Sequence, residues 1–389
     1  MKKNILIVII TTLITCLVTN TARDIRLSSA HGGAERKIQT VLDIIDNFSV
    51  YDIDGEKEGN AAANAIISGL GDVYSGYYSQ EEFASLKDEM SNSYIGIGVT
   101  VAADTDAGKV KVVSVAEGQV AEQMGILMDD YIVAVEGTRY ADYEMQELVS
   151  AIKGEEGTSV TITIDRDGAE FDLVIERKTI DVETVFSKVI EEDIGYIRVS
   201  QFSGKNEGID DAKDTFDYFK EHMEKLKEEN ISSLIIDLRN NPGGNLDVVV
   251  KIADYLMPEG TITYTEDKNG KKQYYSSDEN AINLPMAVLI NGASASASEV
   301  LSGALRDYEL ATLVGEKTFG KGVVQSVIPL YDGSGVIITS SRYFTPAGEC
   351  IHEKGIEPDI KVSMENVVSL SRLGYEEDLQ LQKAVEVLR

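Results

Sequence analysis

The chain has 389 residues, 43% hydrophobic and 26% charged, an ordinary globular composition with room for two or three domains. Its 36 Lys and Arg against 66 Asp and Glu give a formal charge of -30, and a surface so acidic repels nucleic acid over most of its area, which argues against a nucleic-acid role. The two cysteines are Cys16, in a leading apolar stretch, and Cys350, so the folded part has one thiol, no internal disulfide and no zinc-type Cys/His spacing.

MKKNILIVIITTLITCLVTN opens the chain, with Lys2 and Lys3 ahead of an apolar run from Ile5 to Val18. That order suits the charged and apolar regions of an export signal, and the run is shorter than the ~20 residues of a spanning helix. Cleavage is left open: Asn20-Thr21-Ala22 is a poor small-x-small site, and Thr15 spoils the lipoprotein box Leu13-Ile14-Thr15-Cys16. Residues 1–25 are read as a signal or anchor segment that takes the chain out of the cytoplasm, secreted or held at the membrane if uncleaved.

Residues 36–92 read as helical, with VLDIIDNF and EEFASLKDEM as amphipathic pieces around the turn-rich GLGDVYSGYYS. Over 93–178 the pattern changes to short β-branched strands (YIGIGVTVAA, KVKVVSV, YIVAVEG, TSVTITIDR, FDLVIER) with two helical pieces, AEQMGI and EMQELVSAIK. From 179 to 389 strands and helices alternate: DIGYIRVSQF, the long charged helix before Asn230, SSLIIDLRNNPGG, NLDVVVKIADYLM, LPMAVLING and SEVLSGALRDY. This order predicts a largely parallel sheet with active groups at strand ends, closed by the helix YEEDLQLQKAVEVLR.

Three short segments carry candidate chemistry. GEKTFGKGVVQ begins like a phosphate-binding loop, yet Gly322 stands where that loop needs Ser or Thr, and the β-branched run after it predicts a strand where a helix is required. Lys321 between two glycines instead suits a desolvated general base, since burial lowers a lysine toward neutrality; an exposed turn lysine is the plain alternative. In LPMAVLINGASASASEV a serine falls at a strand-to-helix turn, where a side chain is exposed and helix-start amides can hold an oxyanion. The same stretch, Ser296-x-x-Glu299, also matches a helix capping box. DLRNNPGG ends a strand in a glycine turn whose amides can form half of an oxyanion hole, or simply turn the chain. Histidine offers little: His31 follows the leader, His222 sits in the charged helix and is read as solvated, and His352 lacks the second His of a zinc motif.

Together DLRNNPGG, NGASASASEV, GEKTFGKGVVQ, RYFTPAGECIHEKGIEPD and DLQLQKA resemble, in this order, the carboxyl-terminal processing peptidases, or tail-specific proteases. The resemblance runs from about residue 36 to the C-terminus. It implies a mixed α/β fold with a crotonase/ClpP-like protease core, a β-rich PDZ domain and an N-terminal helical segment. It implies a serine endopeptidase in which a nucleophile lies 25 residues before a base, which selects Ser296 over Ser294 and Ser298 for Lys321. Gln325 would orient the lysine, four residues along a strand being on the same face. The backbone amides of Ala297 and of a glycine in Pro242-Gly243-Gly244, with Gly243 favoured, would hold the oxyanion.

YIGIGV, AEQMGILMDDYIVAVEG and EMQELVSAIKG resemble a PDZ domain, which implies a groove for a substrate C-terminus. Gly96, Ile97, Gly98 and Val99 would form one wall, with Leu148 and Ala151 opposite. Asp129-Asp130 departs from the usual Gly-Asp of that domain. The partners implied are protein or peptide substrates with free C-termini, and a homodimer through the segment before residue 92; no metal or cofactor is called for. A catalytically silent peptide-binding scaffold is the competing reading.

Overall fold

The computed structural model describes residues 33–90, 93–116, 118–206, 212–364 and 374–389. The leader 1–25 lies outside them, and among the described residues no helix is long and apolar enough to cross a membrane. The chain divides into two units, one ending at Gly71 and one running Asp72–Arg389.

The first unit contains a helix over 33–48 and a second, Gly55–Ser68, whose Asp54 accepts the amides of Glu56 and Lys57 and so stops the chain from fraying at its start. Ile38, Val41, Ile44 and Phe48 recur at helical spacing on the first helix, and all four are exposed.

The second unit begins as a turn and a strand, Gly76–Tyr78, followed by the helix Gln80–Met90. The stretch expected to be helical therefore also supplies a strand, which pairs antiparallel with Gly335–Phe344. Next comes a six-stranded antiparallel sheet: Val99–Asp104, Lys109–Val115, Tyr131–Val135, Ser159–Arg166 and Ala169–Glu176, with Thr138–Arg139 at its side. Alternate residues Val160, Ile162 and Ile164 point into a core shared with Leu148 and Ile152 of the helix Met145–Ile152.

Ser93–Gly96 pairs antiparallel with Lys178–Asp181, and the remaining residues build two larger sheets. One has six strands in the order Val185–Ile190, Ile194–Val199, Ser233–Asp237, Met286–Ile290, Ala311–Gly315 and Ile360–Lys361, parallel after the first pair. Its central strands SLIID and MAVLI are buried throughout, as a sheet covered on both faces requires. Leu234 and Ile236 point to the side of the helices Thr215–Glu228, Leu246–Leu256 and Ala297–Asp307; Ile235 points to the other, where Leu381, Ala384 and Val385 of the closing helix Leu379–Leu388 pack. The second sheet is antiparallel, with Gly335–Phe344 pairing both Val323–Pro329 and Gly260–Asp267. The loops leaving Asp237 and Ile290 emerge side by side at the carboxyl ends of the parallel strands, where open α/β sheets place their ligands.

Candidate active site

The loop after Ile290 is bound to the loop after Asp237. Asn291 and Asn240 exchange bonds at 2.8 and 3.0 Å, and the Ala295 amide donates to Asn241 at 3.0 Å. Two of the three serines are used in this seam: Ser294 donates to the Leu238 carbonyl at 2.8 Å and Ser298 to the Asn241 carbonyl at 3.0 Å, and both are fully buried. Ser296 differs. It is partly exposed, its hydroxyl makes no capping bond, and its backbone sits at φ 55°, ψ -113°, outside the regions an ordinary side chain prefers. Only the backbone half of the expected capping box forms, from the Ser296 amide to Glu299 Oε2 at 2.9 Å. The turn thus aims the hydroxyl into a cleft of about 920 Å³ that also contains Ala297, Gly243, Lys321 and Gln325.

Lys321 enters this cleft from a segment that only glycine permits. A Cβ on Gly320 would lie 2.8 Å from the Gly355 amide nitrogen, and one on Gly322 only 2.4 Å from that of His352. The strand Val323–Pro329 follows at once, so the helix a phosphate-binding loop needs is absent here. Burial pushes the Lys321 ammonium below its ordinary pKa, while the charge of Asp72 pulls the other way.

Glu299 joins the two segments. It is fully buried on the helix Ala297–Asp307 and accepts four bonds: the amides of Ser296 and Lys321, the Gly320 amide at 2.8 Å and the Thr318 hydroxyl at 2.6 Å. Burial pushes its carboxyl up and these donors pull it down, with burial the larger effect. Three of the four donors are amides that cannot accept, so the ionised form is the one this nest satisfies. On the other side the buried Tyr343 hydroxyl lies 2.8 Å from the Ser296 carbonyl oxygen and 2.5 Å from that of Lys321.

Several expected contacts are rearranged. Gln325 lines the cleft, with its Nε2 buried without a hydrogen-bond partner among the described residues, and a register shift between Val324 and Gln325 turns the strand there. Gly243 does lie against the turn at Ser296: a Cβ on it would be 2.8 Å from the Ser296 Cβ and 2.9 Å from the Ala297 nitrogen. Its amide, however, donates to Asn241 Oδ1 at 2.8 Å instead of pointing free into the cleft. His222, expected to be solvated, is buried, with Ser187 Oγ 2.7 Å from Nδ1 and Glu183 Oε1 2.8 Å from Nε2. His352 packs edge-on to Tyr74. Glu299, Tyr343 and Tyr74 were not singled out as site residues from sequence; the only sequence signal among them was the Ser-x-x-Glu spacing.

A second cavity, of about 210 Å³, lies in the β-rich domain between the segment Gly96–Val99 and the helix Met145–Ile152. Gly96, Ile97, Gly98 and Val99 line it, and opposite them are Val149 and Ile152 of the helix with Lys153 just past its end. Leu148 is fully buried in the domain core, and neither it nor Ala151 lines the cavity, so the helix is rotated by about one residue from the predicted face.

Residues 193–362 match the model of peptidase family S41, and residues 111–166 match that of the PDZ domain. The chain is 34% identical to the carboxy-terminal processing protease CtpB of Bacillus subtilis over 352 residues, 89% of this chain and 71% of that protein. The chain belongs to the carboxy-terminal processing proteases of family S41. It is also 32% identical to CtpA of the same organism, over 94% of this chain and 77% of the relative. Among solved structures, the photosystem II D1 C-terminal processing protease aligns at 28% identity with a TM-score of 0.50, covering 83% of this chain and 86% of that one. The mixed α/β protease with a PDZ domain that the motifs implied is the architecture found, and the chain is a serine peptidase of the C-terminal processing type.

Proposed function

We propose that this protease works outside the cytoplasm, captures substrate C-termini in its PDZ groove and cleaves peptide bonds with Ser296 as nucleophile and Lys321 as general base. The observation that carries the reading is the fate of the three serines: Ser294 and Ser298 are consumed by loop carbonyls, while Ser296 faces the cleft that holds Lys321. Neutral Lys321 takes the proton from the Ser296 hydroxyl as Oγ attacks the substrate carbonyl. The Ala297 amide, for which no partner is found among the described residues, stabilises the resulting oxyanion, joined by Gly243 once substrate displaces Asn241. Lysine returns its proton to the leaving amine, and water then hydrolyses the acyl-enzyme.

The test is cleavage of an unfolded protein ending in apolar residues by the full-length chain, with products read by mass spectrometry. Loss of cleavage in both Ser296→Ala and Lys321→Ala is expected. Cleavage by either variant at the wild-type rate would remove that residue from the dyad, and no cleavage by wild type would favour the peptide-binding scaffold. Export rests on the charged and apolar order of residues 1–25, and is checked by whether the intact chain fractionates outside the cytoplasm. The exposed stripe Ile38, Val41, Ile44 and Phe48 supports a homodimer, checked by sedimentation of wild type beside Val41→Glu.

A further inference from the structure

Lys321 has a partner that the dyad reading does not use. Its Nζ lies 5.0 Å from the centroid of the Tyr74 ring. Tyr74 is carried by a turn that is fixed at both ends. The Asp72 carboxylate accepts the Tyr74 amide at 3.1 Å and the Ser75 hydroxyl at 2.5 Å, and Ser75 Oγ accepts the Thr339 amide at 3.0 Å. The next three residues, Gly76–Tyr78, pair with the strand Gly335–Phe344, which also pairs with the strand leading out of Lys321. The turn and the lysine are therefore held to one sheet. Across the Tyr74 ring the His352 ring packs edge-on, with centroids 6.4 Å apart.

We propose that Tyr74, with the Asp72 carboxylate beside it, is a positioning residue for Lys321, holding the ammonium between its uptake of the Ser296 proton and delivery of that proton to the leaving amine. The inference rests on the Ser296–Lys321 reading. A half-buried ammonium needs compensation for lost water, and an aromatic face supplies it without offering a lone pair that would keep the proton. Each transfer balances: the Ser296 O–H bond breaks as an Nζ–H bond forms, and that bond then breaks as the leaving nitrogen gains its hydrogen. Burial pushes the Lys321 ammonium below its ordinary pKa, and the charge of Asp72 opposes that shift. The groups facing Lys321 are Asp72 and Tyr74 from the turn, Glu299 and Tyr343 at its backbone, and His352 beyond the Tyr74 ring.

The experiment follows the Lys321 side chain by NMR in the full-length chain carrying carbon-13 lysine, assigned with Lys321→Met, in wild type, Tyr74→Phe, Tyr74→Leu and Asp72→Asn. The expected result is a Lys321 titration lowered by about 0.5 to 1 pH unit in Tyr74→Leu and in Asp72→Asn, and unmoved in Tyr74→Phe. The rise of kcat/KM with pH should move to lower pH in the same two variants, with kcat reduced and KM held. If both fold and the titration stays at its wild-type position, the proposal is overturned. Should Tyr74→Leu fail to fold, Asp72→Asn decides alone. The titration reads Lys321 whether or not it is the base, whereas persistent cleavage by Lys321→Ala would end the dyad reading instead.

Discussion

The amides of Ser296 and Lys321 donate to one oxygen, Oε2 of Glu299, each at 2.9 Å. The segments that carry Ser296 and Lys321 are thereby tied through a single buried carboxylate. Glu299→Gln preserves shape but sets an NH2 group against two donors whichever way the amide turns. Two charge-assisted bonds are lost, at about 1.5 kcal/mol or more each, so urea unfolding should show a loss of about 3 kcal/mol. Displacing the lysine from the serine by about 1 Å should lower kcat by about 100-fold with KM little changed. A Glu299→Gln protein with wild-type kcat would show that the tie has no part in catalysis.

The Arg239 guanidinium anchors the loop of DLRNNPGG from below. It is buried, it pairs with Asp237 and Asp378, and both Asp378 contacts are 2.8 Å long. Asp378 precedes the closing helix Leu379–Leu388, so this one cation fastens the end of the chain under the cleft loop. Asp378→Ala leaves the arginine buried and half paired, which should destabilise the fold by about 3–5 kcal/mol in a denaturant titration. A loss below about 1 kcal/mol would mean that water or Gln380 replaces the carboxylate.

The strands and helices of the protease half were legible because apolar period, β-branching and strand length agree in segments such as SLIID and MAVLI. The hairpin Gly260–Asp267 with Lys272–Ser277 carried a signal, Asn269-Gly270 between polar-apolar alternations, that the chain-order reading did not use. The turn at Ser296 was legible only as two readings, because a capping box and a catalytic serine share the same residues. The positive φ of Ser296 goes with the seam between two loops some 50 residues apart, which no local pattern encodes. Tyr74 and Tyr343 were invisible for the same reason: one comes from the turn before Gly76–Tyr78 and the other from the strand Gly335–Phe344 that pairs with it, far from Lys321 in sequence. The PDZ helix was placed correctly and its face misjudged, since Leu148 and Val149 are both apolar and one residue turns a helix by about 100°.

In the PDZ domain, Asp129 adopts φ 74°, the conformation that glycine would favour, and pairs with Lys111 at 2.7 Å. Its neighbour Asp130 is buried, with two bonds of 2.7 Å from Arg166 and one of 2.8 Å from the Leu127 amide. Burial raises the Asp130 pKa, but Arg166 and the amide outweigh it and leave the group below its ordinary value. A carboxylate lowered on folding adds stability above its unfolded pKa and loses it as pH falls through the folded one. Asp130→Asn should therefore cost about 1.5 kcal/mol or more at pH 7, and the gap to wild type should close below about pH 4. Thermal melts across that range check it; a gap that stays constant to pH 2 would assign the effect to packing.

The rotated helix separates two neighbours by what they do. Val149 lines the cavity beside Gly98 and Val99, whereas Leu148 is fully buried in the core with Val160 and Ile162. Leu148→Ala should thus destabilise the domain by about 2–5 kcal/mol, as a large-to-small change in a packed core does. Val149→Asp, at a half-buried position that also touches the core, should cost the melt less than Leu148→Ala and weaken binding of a peptide with an apolar C-terminus by about 10-fold or more, because an unpaired charge then faces the apolar groove. Fluorescence anisotropy with a labelled peptide on the full-length Ser296→Ala chain gives the affinity without cleavage. If Leu148→Ala weakens binding while its melt is unchanged, the helix presents the face predicted from sequence and the groove drawn here is wrong. Equal effects of both variants on melt and affinity would instead place the two residues in one cooperative core, with peptide capture inseparable from domain stability.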